Sequence, residues 1–147
     1  MKTLTLILTL TTFLFAKDFI LGENVFGDYV LKDSKSGYLY AKKLFDNKEF
    51  KKSSNILFQI IQKKDYAPAY ILFGYQAEHG LGMNINCKLA ATMYITSASK
   101  LNYCEAYDSI INMINNNDCI RLGDKKKQKM NEKYKKYKNK CIDSKRK

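Results

Sequence analysis

Residues Ala67 to Ala106 read APAYILFGYQAEHGLGMNINCKLAATMYITSASKLNYCEA. Small residues, aromatics and paired glycines fall there at helix–loop–helix spacing, and the opening phrase returns. Tyr66, Ala69 and Tyr70 reappear as Tyr103, Ala106 and Tyr107, each shifted by 37 residues. A period of about 20–50 residues marks a solenoid, whose helical hairpins bury their apolar faces only against one another. The expected fold class is all-α: a short αα-hairpin solenoid, or superhelix, of about three hairpins.

Punctuation inside the stretch supports this reading. Pro68 marks a helix entry, because a first-turn proline gives up no hydrogen bond that the helix needs. Ala69, Leu72, Phe73 and Ala77 then form an apolar face, and Gly80-Leu81-Gly82 ends the helix. Asn86 is a good N-cap for a partner helix carrying Leu89, Ala90, Met93, Tyr94 and Ala98. Upstream, Tyr38, Ala41, Leu44 and Phe45 predict one helix closed at Asp46-Asn47. Phe50, Ser53, Ser54, Leu57, Phe58 and Ile61 predict a second. Downstream, Ala106, Tyr107, Ile110, Ile111 and Ile114 predict a helix from about Cys104 to Ile114, closed by Asn115–Asp118. A last helix begins near Asp124, with Met130, Tyr134, Tyr137 and Cys141 as its docking stripe and its final residues, Asp143 to Lys147, expected to fray.

The first sixteen residues have the form of an export signal: Lys2, an apolar run from Leu4 to Phe15, and a small residue, Ala16, before Lys17. The run is too short to cross a bilayer as a helix, which takes about 20 apolar residues. The expected organisation is a signal peptide at 1–16, cut after Ala16, an N-terminal strap at 17–35, a helical-repeat domain at 36–120 and a basic helix and tail at 121–147. The expected location is the periplasm or the cell exterior.

Charge is distributed unevenly. Residues 121–147 carry thirteen lysines and arginines against Asp124, Glu132 and Asp143, whereas residues 17–120 carry twelve basic and eleven acidic residues. A near-neutral body with a basic extension points to an anionic partner: membrane headgroups, acidic envelope polymers or an acidic protein. The plain alternative is a solvated lysine face. No DNA-reading motif occurs, and nucleic acid is not expected for an exported chain. Candidate binding residues are Lys133, Lys136 and Lys140 on the basic helix and Tyr70, Tyr75 and Gln76 on the inner helices of the repeat.

Four cysteines in an oxidising compartment allow three pairings. Cys87 and Cys104 lie at opposite ends of a helix about 20 Å long, beyond the reach of a disulfide at about 7 Å between Cα atoms. Antiparallel packing brings Cys87 to Cys119 and Cys104 to Cys141, and these two bonds are predicted. With one histidine and no C-x-x-C, no metal site is expected, and no cofactor.

No catalytic residue is assigned. His79, just before Gly80, suits a helix C-terminus. Ser97-Ala98-Ser99-Lys100 fits the S-x-x-K spacing of penicillin-recognising enzymes, but S-D-N and K-T-G are absent and Ser97 falls where the repeat wants a small buried residue.

The pattern Ala69-x-x-Leu72-x-Gly74-x-x-Ala77-x-x-Gly80-x-Gly82-Met83-x-x-Asn86-x-x-x-Ala90-x-x-x-Tyr94-x-x-x-Ala98 resembles a Sel-one-like repeat, a relative of the tetratricopeptide hairpin. Asn86 stands where that family prefers Asp, and Leu101 where it closes on glycine. The resemblance implies an αα-superhelix and an adaptor role. Exported, cysteine-bearing versions resemble the Helicobacter cysteine-rich proteins, in which paired cysteines staple the helices, although here Ser99 stands where a cysteine is expected. That resemblance implies an alternative function, binding or weak hydrolysis of β-lactams.

Overall fold

The computed structural model describes residues 33–63, 66–116 and 119–146, and these are helical with no strands. The helices are α1 (Ser34–Asp46), α2 (Phe50–Lys63), α3 (Ala67–His79), α4 (Cys87–Ser99), α5 (Ala106–Asn115) and α6 (Asp124–Lys145). The proposed signal peptide and all but the end of the strap lie outside the described residues. Ser34 and Lys35, assigned to the strap, instead form the first turn of α1, because Asp33 caps it: its carboxylate accepts from the amides of Lys35 and Ser36.

Local chemistry sets each boundary. Tyr66 is extended ahead of Pro68, and α3 closes on Gly80 in the left-handed conformation (φ 68°). The Asn86 side chain accepts from the Leu89 amide at 3.0 Å, capping α4. Gly82 has φ 77°, and a Cβ there would lie 2.5 Å from the Phe50 carbonyl carbon. The α3–α4 loop thus presses its bare backbone on the start of α2. After α4, Asn102 takes a positive φ (51°), a conformation that asparagine tolerates better than most residues. The start of α5 moves to Ala106, two residues later than expected, because Cys104 and Glu105 form a turn. Helix α6 continues through Asp143 and Ser144 to Lys145, further than expected for a fraying end.

Each helix packs chiefly on its neighbours in sequence, and α1, α3 and α5 also touch one after another. Two apolar clusters result. One centres on Ala41, Leu57, Ile60, Ala69 and Phe73, the other on Ala77, Ala90, Tyr94, Ala106, Ile110, Met113 and Ile114. Leu89 and Met83 touch both, so the core is continuous across α3 and α4. On α2 the buried stripe is Ser53, Ser54, Leu57 and Ile60, whereas Phe58, expected inside, is 52% exposed. Ser53, Ser54 and Leu57 are inside as expected, the two serines facing the buried amide of Gln76, and Ile60 takes the inner place in the next turn. Gly74 lets α3 meet α4 closely: a Cβ there would lie 2.7 Å from the Tyr94 ring.

Cys87 is bonded to Cys119 and Cys104 to Cys141, with Cα separations of 5.3 and 5.7 Å. This is the pairing expected from antiparallel helix ends. The first bond ties the start of α4 to the segment after α5; the second ties the α4–α5 turn to the last turns of α6. Met130 and Tyr134 of α6 pack on the second core cluster and Cys141 is buried, so the basic segment is a docked helix.

Candidate binding groove and basic helix

The in-series contact of α1, α3 and α5 leaves a groove of about 360 Å³ across the three. Its walls are Tyr38 of α1, Ile71, Leu72 and Tyr75 of α3, and Tyr103 and Glu105 at the entry to α5. Pro68, Leu72, Tyr75 and His79 follow one another at three- and four-residue steps, so they form the one stripe of α3 left uncovered by neighbouring helices. At one end, Tyr75 stacks on His79 (ring centroids 4.2 Å apart) and meets Phe45 edge-on at 5.9 Å. His79 Nδ1–H donates to the Tyr75 carbonyl at 3.0 Å, which holds the imidazole against that ring. At the other end, Tyr38 and Tyr66 lie 5.2 Å apart.

Burial raises the ionisation range of Tyr38, and the Tyr66 hydroxyl adds to the effect. Burial, then the Glu105 carboxylate, does the same for Tyr103. Both phenols are therefore neutral at physiological pH and offer O–H groups that donate and accept. The groove combines an apolar floor, flat aromatic walls and one exposed carboxylate. Such a surface can hold an extended segment by packing and a few directed hydrogen bonds.

Of the three residues expected on this surface, only Tyr75 is there, 41% exposed. Tyr70 and Gln76 are buried and point the other way, toward α2. The Tyr70 hydroxyl donates to the Ile61 carbonyl at 3.1 Å. The Gln76 amide donates to Ser53 Oγ at 2.8 Å and accepts from Ser54 Oγ. In this structure these two residues join α2 to α3. The cause is the position of α3, which has neighbours on most of its circumference and only a narrow open stripe.

A signal for the missed groove residues exists in the sequence. Gly37-Tyr38 recurs as Gly74-Tyr75 at the same 37-residue shift that relates Tyr66 to Tyr103. The recurrence puts a tyrosine on each of α1 and α3, one helical turn apart in position along the two helices.

Lys133, Lys136 and Lys140 are exposed on α6, as expected. The Lys133 ammonium lies 5.8 Å from the Tyr134 ring centroid and 5.6 Å from that of Tyr137. Lys138, by contrast, is paired with Asp108 of α5 at 2.6 Å and helps to dock the helix. A second cavity, of about 310 Å³, opens between the end of α4, α5 and α6, with Tyr107, Tyr137, Lys140, Asn102, Ser99 and Ser144 around it.

Ser97 is fully buried and its hydroxyl donates to the Ala67 carbonyl at 3.1 Å, joining α4 to the start of α3. It fills a small buried position between the two helices. Asp46 and Glu49 pair with Lys42 and Lys52 on the surface. Among the described residues no group of histidine, cysteine and acidic side chains is arranged to hold a metal ion, and no helix is long and apolar enough to cross a membrane.

Comparison of the chain with protein-family models, with curated proteins and with solved structures finds no match in any of the three. The fold and its cross-links define the class directly: an all-α protein of helices packed in sequence order, stapled by two disulfides.

Proposed function

We propose that this chain is an exported helical-repeat adaptor of the Sel-one-like kind, acting in the periplasm or outside the cell. Its groove across α1, α3 and α5 takes a segment of a partner protein, and its basic α6 engages an anionic envelope component. The observation that carries the reading is the run of aromatic and apolar side chains on successive inner helices, exposed although the rest of α3 is enclosed. Tyrosine suits this task because it buries a large rigid area at little cost in side-chain entropy. Two disulfides among four cysteines support an oxidising compartment.

The test is site-specific crosslinking. A photoreactive amino acid at position 75 should capture a protein from an envelope extract, and the same amino acid at buried position 70 should not. Tyr75→Ala with Tyr103→Ala should abolish competition by the unlabelled protein. Equal capture from both positions, or a double variant that competes as well as the parent, overturns the groove as the contact surface.

A further inference from the structure

The lysines of α6 are not scattered evenly. Lys126, Lys129, Lys133, Lys136 and Lys140 follow one another by three or four residues and are all exposed. On a helix that spacing draws a single row, about 21 Å long at 1.5 Å per residue, with neighbours about 5–6 Å apart. One edge of the row is bounded by Tyr137 and the docked stripe of Met130, Tyr134 and Cys141. Turning the helix the other way meets Glu132 and Asp143. The row is therefore narrow, with Glu132 and Asp143 on its outer border and Lys125 beside its first turn.

A strip of this width matches a line of charge better than a plane. Laid on a flat anionic membrane, α6 would bring Glu132 and Asp143 against the headgroups beside the lysines. A linear polyanion can follow the row and avoid them. The row also ends at the second cavity, which Lys140 shares with Tyr107 and Tyr137, the latter 43% exposed. Asn102 supplies an amide there, and Ser99 and Ser144, whose hydroxyls donate to the Ile95 and Cys141 carbonyls, supply oxygens that can accept. Aromatic faces beside hydroxyl-matching groups suit a sugar ring, which has an apolar C–H face and a rim of hydroxyls. An inorganic polyphosphate has no such face.

We propose that the Lys126–Lys140 row, with the Tyr107–Tyr137 cavity at its end, is a binding track for a linear acidic polysaccharide. This rests on the reading of α6 as the anion-binding element and names its ligand class; it is independent of the inner groove.

The disulfide-bonded chain is titrated by calorimetry with four probes: polygalacturonate, polyphosphate of matched charge, neutral dextran, and phosphatidylglycerol vesicles. Lys129→Gln/Lys133→Gln/Lys136→Gln removes the middle of the row. Lys127→Gln/Lys135→Gln/Lys145→Gln removes the same charge from other faces. The row variant should lose about tenfold or more in affinity for polygalacturonate, and the off-row variant less than about threefold. Tyr137→Ala should weaken polygalacturonate by about tenfold and leave polyphosphate unchanged. An unchanged thermal midpoint checks that this exposed position tolerates the change. Equal losses from the two triple variants, tighter binding of vesicles than of polygalacturonate, no effect of Tyr137→Ala, or binding of dextran each overturns the proposal. In the first three cases the broader anionic-partner reading survives. If none of the three anionic probes binds, both fall.

Discussion

Several buried polar side chains among the described residues join one helix to another. Gln76 is fully enclosed, yet its amide is matched by two serine hydroxyls from α2, so α2 and α3 are held in one register. Gln76→Leu removes the match and leaves the Ser53 hydroxyl without its partner, at an expected loss of about 1–3 kcal/mol. Adding Ser53→Ala should recover part of that loss, because an unmade buried hydrogen bond costs more than an absent one; urea titration of the three proteins checks this. Tyr94 is a joint of another kind. Its hydroxyl donates to the Glu78 carboxylate at 2.7 Å inside the core. Burial first, and then that carboxylate, hold the phenol well above its ordinary value of 10.0. Below that value both folded and unfolded chains keep the proton and this group makes stability independent of pH. Above it the unfolded chain ionises and the folded one does not, so stability falls by about 1.4 kcal/mol per pH unit. Urea midpoints measured from about pH 9 to 11 should fall more steeply in the parent than in Tyr94→Phe, where the raised phenols of Tyr38 and Tyr103 still contribute.

Helix α6 shows how an element poor in apolar residues is kept in place. Met130 and Tyr134 are only partly buried, and Cys141 is its one buried side chain. The Lys138–Asp108 pair and the Asn131–Asn115 hydrogen bond add contacts near the surface, where such pairs contribute little. The Cys104–Cys141 bond therefore carries much of the docking. With its ends 37 positions apart in the sequence it is worth about 3–4 kcal/mol in the chain-entropy model. Cys104→Ser/Cys141→Ser should lower stability by that order and let the amides of α6 exchange faster than those of α3. Hydrogen exchange followed by mass spectrometry reads both. Equal acceleration in α3 would show that the bond supports the whole fold and not chiefly this element.

Across the whole molecule, packing in sequence order puts α1, α3 and α5 side by side and opens the groove between them. Binding there should depend on tyrosines from different helices jointly. Tyr75→Ala and Tyr103→Ala are each expected to cost about 1–2 kcal/mol of affinity for a groove-bound segment. Fluorescence anisotropy with the captured partner's crosslinked segment checks this, and a variant at buried Tyr70 would act instead through stability. The helices themselves were legible from the chain: Pro68, Gly80, Asn86 and the 3.6-residue stripes mark ends and faces by local chemistry alone. The cysteine pairing was legible too, because two antiparallel helices allow few approaches of their ends. The errors lie where one helix has several neighbours. Phe58 and Ile60 differ by about half a turn around α2, and periodicity favoured the larger side chain. Tyr70 and Gln76 looked like free polar surface on α3, and they are enclosed.

Amphipathic spacing and turn residues act over a few neighbouring positions, so they mark the helices and most of their ends, to within about two residues, whatever surrounds them. Which side of a given helix faces solvent depends on how many other helices crowd round it, and that is a property of residues far apart along the chain. Close approach at Gly74 and Gly82, the Gln76 joint and the two disulfides set that crowding here. They turn Tyr70 inward and leave Tyr38, Tyr75 and Tyr103 open to a partner.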